Sequence, residues 1–345
     1  MTIVRVPSTA FPRTSHWRRA ANYASYLAGS ALAGLKAPRP DVVLSMTDPP
    51  VIADVAMLVA HRFRAPLVVV SQDVFPEVAV ELKQLDNPIV IGALRRAVRF
   101  YLERADRVVA IGETMRKRLE EKGAPAERVS VIPNWVDTDK LTPRPRRNEW
   151  SAAHDLDDRF VVMHSGNIGH AQNLDALIRS ATLLRDLDDL AIVLIGGGAR
   201  RDELVELARQ LEVGDRVRFL PYQERSVLPL SLSSADVHVV GLAPGLSGYV
   251  VPSRVYGILA AGRPVIAAVD SESETAQLVT AAGCGIVVPP GRPEVLADVI
   301  RSAHDGDLDL DALGAAGRGH VVANGGRSAA VERYRTLLRE AAAAS

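Results

Sequence analysis

The chain has 345 residues, 48% hydrophobic and 24% charged, which is too long for one ordinary domain and gives ample apolar material for two cores. Lysine plus arginine equals aspartate plus glutamate at 41 each, so no net field favours nucleic acid as a partner. A single cysteine, Cys284, rules out an intrachain disulfide and argues against a cysteine-ligated metal. The opening Met-Thr-Ile-Val-Arg-Val-Pro lacks the apolar core of a signal peptide, and no apolar run approaches the roughly 20 residues of a membrane span. A reducing, cytoplasmic setting is expected.

In chain order, Trp17 to Lys36 mixes Arg18 and Arg19 with Trp17, Tyr23, Tyr26, Leu27 and Leu32. That pattern suits a helix lying peripherally at a membrane surface, or equally one packed on its own domain. Short valine- and isoleucine-rich runs then alternate with helical patterns, as in a parallel sheet covered on both faces. Strands are predicted at 42–46, 67–71, 107–111 and 129–132, with helices at 51–62, 88–104 and 113–122. Thr142-Pro-Arg-Pro-Arg-Arg-Asn148 is polar, basic and broken by proline, the composition of a linker. A second alternating series follows, with strands at 160–164, 191–195, 216–220, 237–240, 264–268 and 285–288. The expected organisation is a first Rossmann-like domain at 1–141, a linker at 142–150, a second at 151–325 and a terminal helix in 326–345 that returns to the first domain. Two doubly wound α/β domains would present a cleft between the carboxyl ends of their strands, where ligands of open α/β sheets bind.

His164-Ser-Gly-Asn-Ile-Gly-His170 follows the first strand of the second series, with a helical pattern from Asn173. Glycines admit a ligand close to the backbone and helix-start amides carry partial positive charge, so the loop suits a diphosphate; a purely structural strand-to-helix turn reads the same way. In Gly248-Tyr-Val-Val-Pro-Ser-Arg254, Pro252 and Ser253 can start and cap a helix, setting Arg254 beside its positive end; the other reading is a core helix with a basic first turn. Asp73 ends the run Val68-Val-Val-Ser-Gln72 and is expected at the carboxyl end of a strand, either as an electrostatic group or as a cap for the segment after it. The histidines show no metal-ligand spacing, so no metal is assigned.

Pro252-Ser-Arg-x-x-x-x-x-Ala-Ala-Gly-Arg-Pro-Val265 resembles the donor-binding helix of family 4 glycosyltransferases. Ala105-Asp-Arg-Val-Val-Ala110, Ile132-Pro-Asn-Trp-Val-Asp137 and Leu194-Ile-Gly-Gly-Gly198 agree with that family in the same order. Asp73-Val-Phe-Pro-Glu77 and Gly166-Asn-Ile-Gly-x-x-Gln172 look most like its O-antigen, capsular and colanic-acid branch. The resemblance implies an α/β GT-B fold. It also implies retaining transfer of a sugar from a nucleoside diphosphate sugar, UDP-linked, to a glycan or lipid-linked acceptor, with no cofactor and no metal. It places donor and phosphate binding on Gly166, Asn167, Ile168, Gln172, Ser253 and Arg254, and donor sugar or nucleoside contacts on Gly197, Tyr222, Gly248, Tyr249 and Gly257. Asp73 becomes the catalytic candidate, and Arg13, His16 and Glu77 fall on the acceptor side.

Three departures accompany the likeness. Tyr249 and Gly257 stand where many members carry two glutamates eight positions apart. Asn167 and Gln172 replace an arginine and a lysine, leaving Arg254 as the leading cation. The chain also opens near what resembles the third strand, so an absent opening segment is expected. A nucleotide-sugar epimerase, sharing the donor pocket but needing no acceptor, and a degenerate, partner-binding homologue are the competing functions.

Overall fold

The computed structural model describes residues 2–11, 16–49 and 51–344. They divide into two compact units. The first takes the chain up to Ile132 together with Gly248–Val250 and the stretch from Glu332 on; the second takes Pro133–Ser247 and Val251–Val331.

The first unit runs α1 (His16–Lys36), β1 (Val43–Met46), α2 (Ile52–Phe63), β2 (Leu67–Val70), α3 (Glu77–Glu81), α4 (Pro88–Arg104), β3 (Arg107–Ala110), α5 (Glu113–Glu121) and β4 (Val129–Val131). Its four strands are parallel in the order β1-β2-β3-β4. Every residue of Leu67-Val-Val-Val70 is buried, as an inner strand covered on both faces requires. Helix α4 starts where its sequence dictates: Asn87 accepts hydrogen bonds from the Ile89 and Val90 amides, and Pro88 supplies a preset first helical residue. Helix α1 packs on α2, where Gly34 lies so close to Val59 that a Cβ would stand 2.7 Å from its methyl carbon. No described helix is long and apolar enough to cross a membrane.

The second unit continues with α6 (Glu149–Ala153), β5 (Phe160–Ser165), α7 (Asp175–Leu183), β6 (Leu190–Ile195), α8 (Arg201–Gln210), β7 (Val217–Leu220), α9 (Leu228–Ser233), β8 (Val237–Gly241), α10 (Arg254–Ala260), β9 (Val265–Ala268), α11 (Glu274–Ala282), β10 (Gly285–Val288), α12 (Pro293–His304) and α13 (Leu310–Asn324). The last helix, α14 (Arg327–Ala343), carries Leu337 and Ala341 into one apolar cluster with Val68, Val70, Val109 and Ile132 of the first unit. The second sheet is also parallel, in the order β10-β9-β8-β5-β6-β7. Winding therefore reverses between β5 and β8, which pair through Val162 with Val237 and Met163 with His238. Helix α11 shows how local chemistry sets its ends. Ser273 caps the Ala276 amide, and Gly283, at φ +57°, takes the left-handed turn that stops the helix.

The 142–150 stretch is not a free linker but is built into the second unit. Arg146 pairs with Asp236 at 2.8 Å and donates to the Leu156 carbonyl at 2.7 Å. Asn148 caps α6 in a reciprocal box with Ser151, and Trp150 is buried. Arg146 finds carboxylate and carbonyl partners in the fold, so its charge does not signal solvation. The units accordingly divide after Ile132.

Candidate active site

Loops leaving β5 and β8 flank the point where the winding of the second sheet reverses, the usual ligand site of an open α/β sheet. The loop after β5 is held against the loop after β6 by backbone pairing. The Ile168 amide donates to the Gly197 carbonyl at 2.8 Å, and the Arg200 amide donates back to the Ile168 carbonyl at 3.0 Å. A Cβ on Gly196 would collide with the Gly166 carbonyl and one on Gly198 with that of Ile168; both glycines also hold positive φ, at +138° and +153°. After His170–Gln172 forms a short 3-10 turn, α7 begins at Asp175, two residues later than the sequence pattern suggests.

Several expected phosphate contacts are engaged elsewhere. Gln172 is buried, and its Oε1 accepts from the Gly169 amide at 2.9 Å and from Asn167 Nδ2 at 3.3 Å, so these two side chains fix the loop's shape. Ile168 is wholly buried in the core and contributes only its backbone to the loop. Ser253 lies in the helical basin, φ −63° and ψ −18°, whereas a capping residue is extended; it makes no side-chain cap bond.

Arg254, the first residue of α10, places its charge against the same loop. Its guanidinium lies over Gly166, where a Cβ would stand 3.2 Å from Cζ, and Nη1 reaches the His164 ring at 2.5 Å from Nε2. Burial lowers its pKa to about 10, an effect Tyr222 partly offsets, so it is charged at neutral pH. No ion pair joins it to a carboxylate among the described residues. Tyr222, 61% exposed, lays its ring 3.4 Å from where a Gly197 side chain would start, and its hydroxyl donates to the Gly197 carbonyl at 3.2 Å. Gly166, Gly197, Tyr222 and Arg254 thus gather at one place. Gly257 does not join them, since a side chain there would face Leu232 and Leu141.

His164 is the component that spacing rules for metals pass over. It is fully buried near the end of β5, and burial, reinforced by Arg254, holds its pKa well below the usual value. A polar residue inside the apolar strand Phe160-Val-Val-Met-His-Ser165 is the signal that could have marked it.

In the first unit, Asp73 follows β2 and bridges Val250, and the Val74 amide donates to the Tyr249 carbonyl at 2.9 Å. Water reaches the Asp73 side chain, but protein crowds it enough that desolvation, with Asp48 adding repulsion, raises its pKa to about 6. It caps no helix, because α3 starts from Pro76 without a side-chain cap. Glu77, expected on the acceptor side, is engaged instead by Lys122 at 2.5 Å and Arg95 at 3.1 Å, tying α3 to α4 and to the end of α5. Gly248 and Tyr249 group with this unit, the Arg118 guanidinium sitting 4.9 Å above the Tyr249 ring. Arg13 lies outside the described residues; His16 is described only as the start of α1. Among the described residues, no group of three histidines, cysteines or carboxylates is placed to hold a metal.

The family profile of glycosyl transferases group 1 matches residues 146–320, half of the chain, and a glycosyl transferase 4-like domain matches residues 2–135. The chain belongs to the group 1 glycosyl transferases. A Pseudomonas aeruginosa relative bearing the name glycosyltransferase WbjE is 29% identical over 315 residues, covering 88% of this chain and 76% of the relative. WcaI of Escherichia coli strain K12, named for colanic acid biosynthesis, is 31% identical over 206 residues, covering 59% of this chain and half of WcaI. Among solved structures, Anabaena HepE in complex with UDP and glucose matches with a TM-score of 0.76 at 17% identity, covering 94% of this chain and 83% of that one. Sucrose-phosphate synthase from Thermosynechococcus elongatus matches at 0.79 and 20% identity, covering 99% and 84%. These likenesses establish the GT-B fold for this glycosyltransferase.

Proposed function

We propose that the protein transfers a sugar from a UDP-linked donor to a glycan or lipid-linked acceptor, with retention at the anomeric carbon and no divalent metal. The observation that carries the proposal is a charged, partly buried Arg254 that no carboxylate pairs with among the described residues, set against glycine loops at the switch point of the second sheet. A desolvated cation of this kind favours a dianionic diphosphate, and the glycines leave the backbone open to it. UDP in HepE supports the choice of base, and colanic acid in the name of WcaI supports a polysaccharide acceptor.

In the transfer, the bond from the anomeric carbon to the diphosphate oxygen breaks, a bond to an acceptor hydroxyl oxygen forms, and the hydroxyl proton passes to the oxygen of the departing nucleoside diphosphate. Arg254 stabilises the charge developing on the departing diphosphate, and the Asp73 carboxylate stabilises positive charge on the sugar. A cytoplasmic location and peripheral membrane contact belong to the same reading, the latter supported by the exposed Tyr26 and Leu32 of α1.

Thermal unfolding with UDP, GDP, ADP and CMP tests the donor assignment, because a ligand bound only by the folded state raises Tm. UDP should raise Tm most, with EDTA leaving the rise intact. Equal or absent stabilisation by all four at millimolar concentration would remove the assignment.

A further inference from the structure

We propose that the outer face of α4 is a docking surface for an anionic lipid bilayer. The proposal rests on the peripheral membrane contact proposed above and places that contact on α4, not on α1.

Pro88–Arg104 has apolar residues on two sides. Its inner side carries Val98, Tyr101 and Leu102 into the core, as a helix covering a sheet requires. Ile89, Ala93, Arg96 and Phe100 follow at spacings of four, three and four residues, which lines them up in one row on the opposite side of the helix. At 1.5 Å per residue the row is roughly 16 Å long. It faces solvent: Ile89 is 81% exposed and Phe100 45%, and Val90, beside Ile89 in the first turn, is 42% exposed. A lone exposed apolar residue needs no explanation, but an aligned row ending in a phenylalanine is the geometry of a helix that lies in an interface.

Charge decides the occupant. The helix carries Arg95, Arg96, Arg99 and Arg104 against Glu103 alone. Arg99 and Arg104 share Glu103, at 2.8 and 3.7 Å, and Arg95 reaches Glu77 of α3 at 3.1 Å, a carboxylate that Lys122 already holds. Arg96, within the apolar row, has no ion pair among the described residues. The Cζ of Arg104 lies 3.9 Å from the centre of the Phe100 ring, so cation and aromatic share one end of the row. A second copy of the chain seated here across a twofold axis would set arginines against arginines, which disfavours it. Lipid phosphates match the excess cations instead. The long arginine stems let the guanidinium groups rise to the headgroups while Ile89, Val90 and Phe100 enter the acyl boundary.

Vesicle sedimentation with the intact chain tests the proposal. The wild type should bind phosphatidylcholine vesicles containing about 30% phosphatidylglycerol and come off them as salt rises. Ile89→Ser combined with Phe100→Ser should weaken binding about tenfold or more through lost apolar burial, and Arg96→Glu by a similar factor through reversed charge. These substitutions are at the surface, so Tm and UDP affinity should stay at wild-type values. Leu32→Ser on α1 should bind vesicles within about twofold of the wild type. Hydroxyl-radical footprinting of the unaltered chain should show Ile89 and Phe100 shielded by the same vesicles, and unshielded side chains on bound protein would overturn the proposal. If the α4 variants bind as the wild type does, or the loss is confined to Leu32→Ser, the membrane contact stands and α4 is not its surface. If the wild type itself ignores anionic vesicles, the membrane contact fails, while sugar transfer is judged separately by UDP affinity. A concentration-dependent dimer abolished by the α4 variants would make a second copy the occupant and overturn the proposal.

Discussion

The loop leaving β5 and the segment leaving β2 both emerge at the carboxyl ends of buried parallel strands, yet their side-chain chemistry differs. The β5 loop is fixed by backbone pairing to its neighbour and by an internal Gln172 strut, and His164 at the end of its strand contacts Arg254. The β2 segment keeps a solvent-touched carboxyl whose pKa is raised to about 6, while nearby Glu77 is paired off with Lys122 and Arg95. Holding a diphosphate rewards fixed geometry and a constant charge. Acting on a reacting sugar rewards a carboxylate left unpaired. The same contrast appears in pH behaviour, where the buried histidines of one unit and the raised carboxyl of the other respond oppositely to acid.

The largest effect should come from removing the charge on the β2 side. Asp73→Asn should lower turnover by roughly a hundredfold or more with nearly unchanged UDP affinity, if the carboxylate acts only in the chemical step. Wild-type turnover should fall as the pH drops through about 6, where Asp73 takes up its proton. Because its folded pKa lies above the ordinary 3.8, ionised Asp73 opposes folding above pH 6 and ceases to do so below 3.8; Asp73→Asn should therefore raise neutral-pH Tm slightly. A lower Tm with normal turnover of the folded fraction would turn Asp73 into a structural residue and dissolve the contrast.

The second effect concerns the other unit. His238 is fully buried with a pKa of about 4 against an ordinary 6.5, so the unfolded chain protonates first as acid is added. Its contribution is complete above pH 6.5 and lost progressively down to pH 4, on the order of 3 kcal/mol, with His164 acting in the same direction. Urea unfolding followed at pH 7.5 and 4.5 should show that fall, and His238→Asn should flatten it. An acid-independent profile in the wild type would count against the buried neutral histidines.

The smallest effect sharpens the boundary of the donor site. Ser253→Ala should change neither the unfolding free energy nor the free energy of UDP binding by more than about 0.5 kcal/mol, since Ser253 is exposed and caps nothing. A tenfold loss of UDP affinity would make its hydroxyl a ligand.

Strand and helix positions were legible because buried parallel strands write themselves as unbroken aliphatic runs. Pro88–Arg104 and Gly285–Val288 appear with the expected limits, and most other elements shift by a residue at one or both ends. The division between units was less so, since a basic, proline-bearing segment looks solvated until Asp236 and the Leu156 carbonyl are seen to meet Arg146. Arg254 could be picked out from its motif, but its contact with His164 could not, because their meeting across 90 residues depends on β5 and β8 becoming neighbours. Side-chain direction was the other hidden quantity: Gln172 turns into its own loop, and Gly257 faces aliphatic residues.

The central claim, that Arg254 at the β5–β8 switch point receives the donor's diphosphate, is tested most directly by a crystal structure of this chain with UDP bound. The predicted result has diphosphate oxygens within hydrogen-bond distance of the Arg254 guanidinium, beside Gly166, with the His164–Arg254 contact retained. A nucleotide bound elsewhere, or at this loop with its diphosphate out of reach of Arg254, would contradict it.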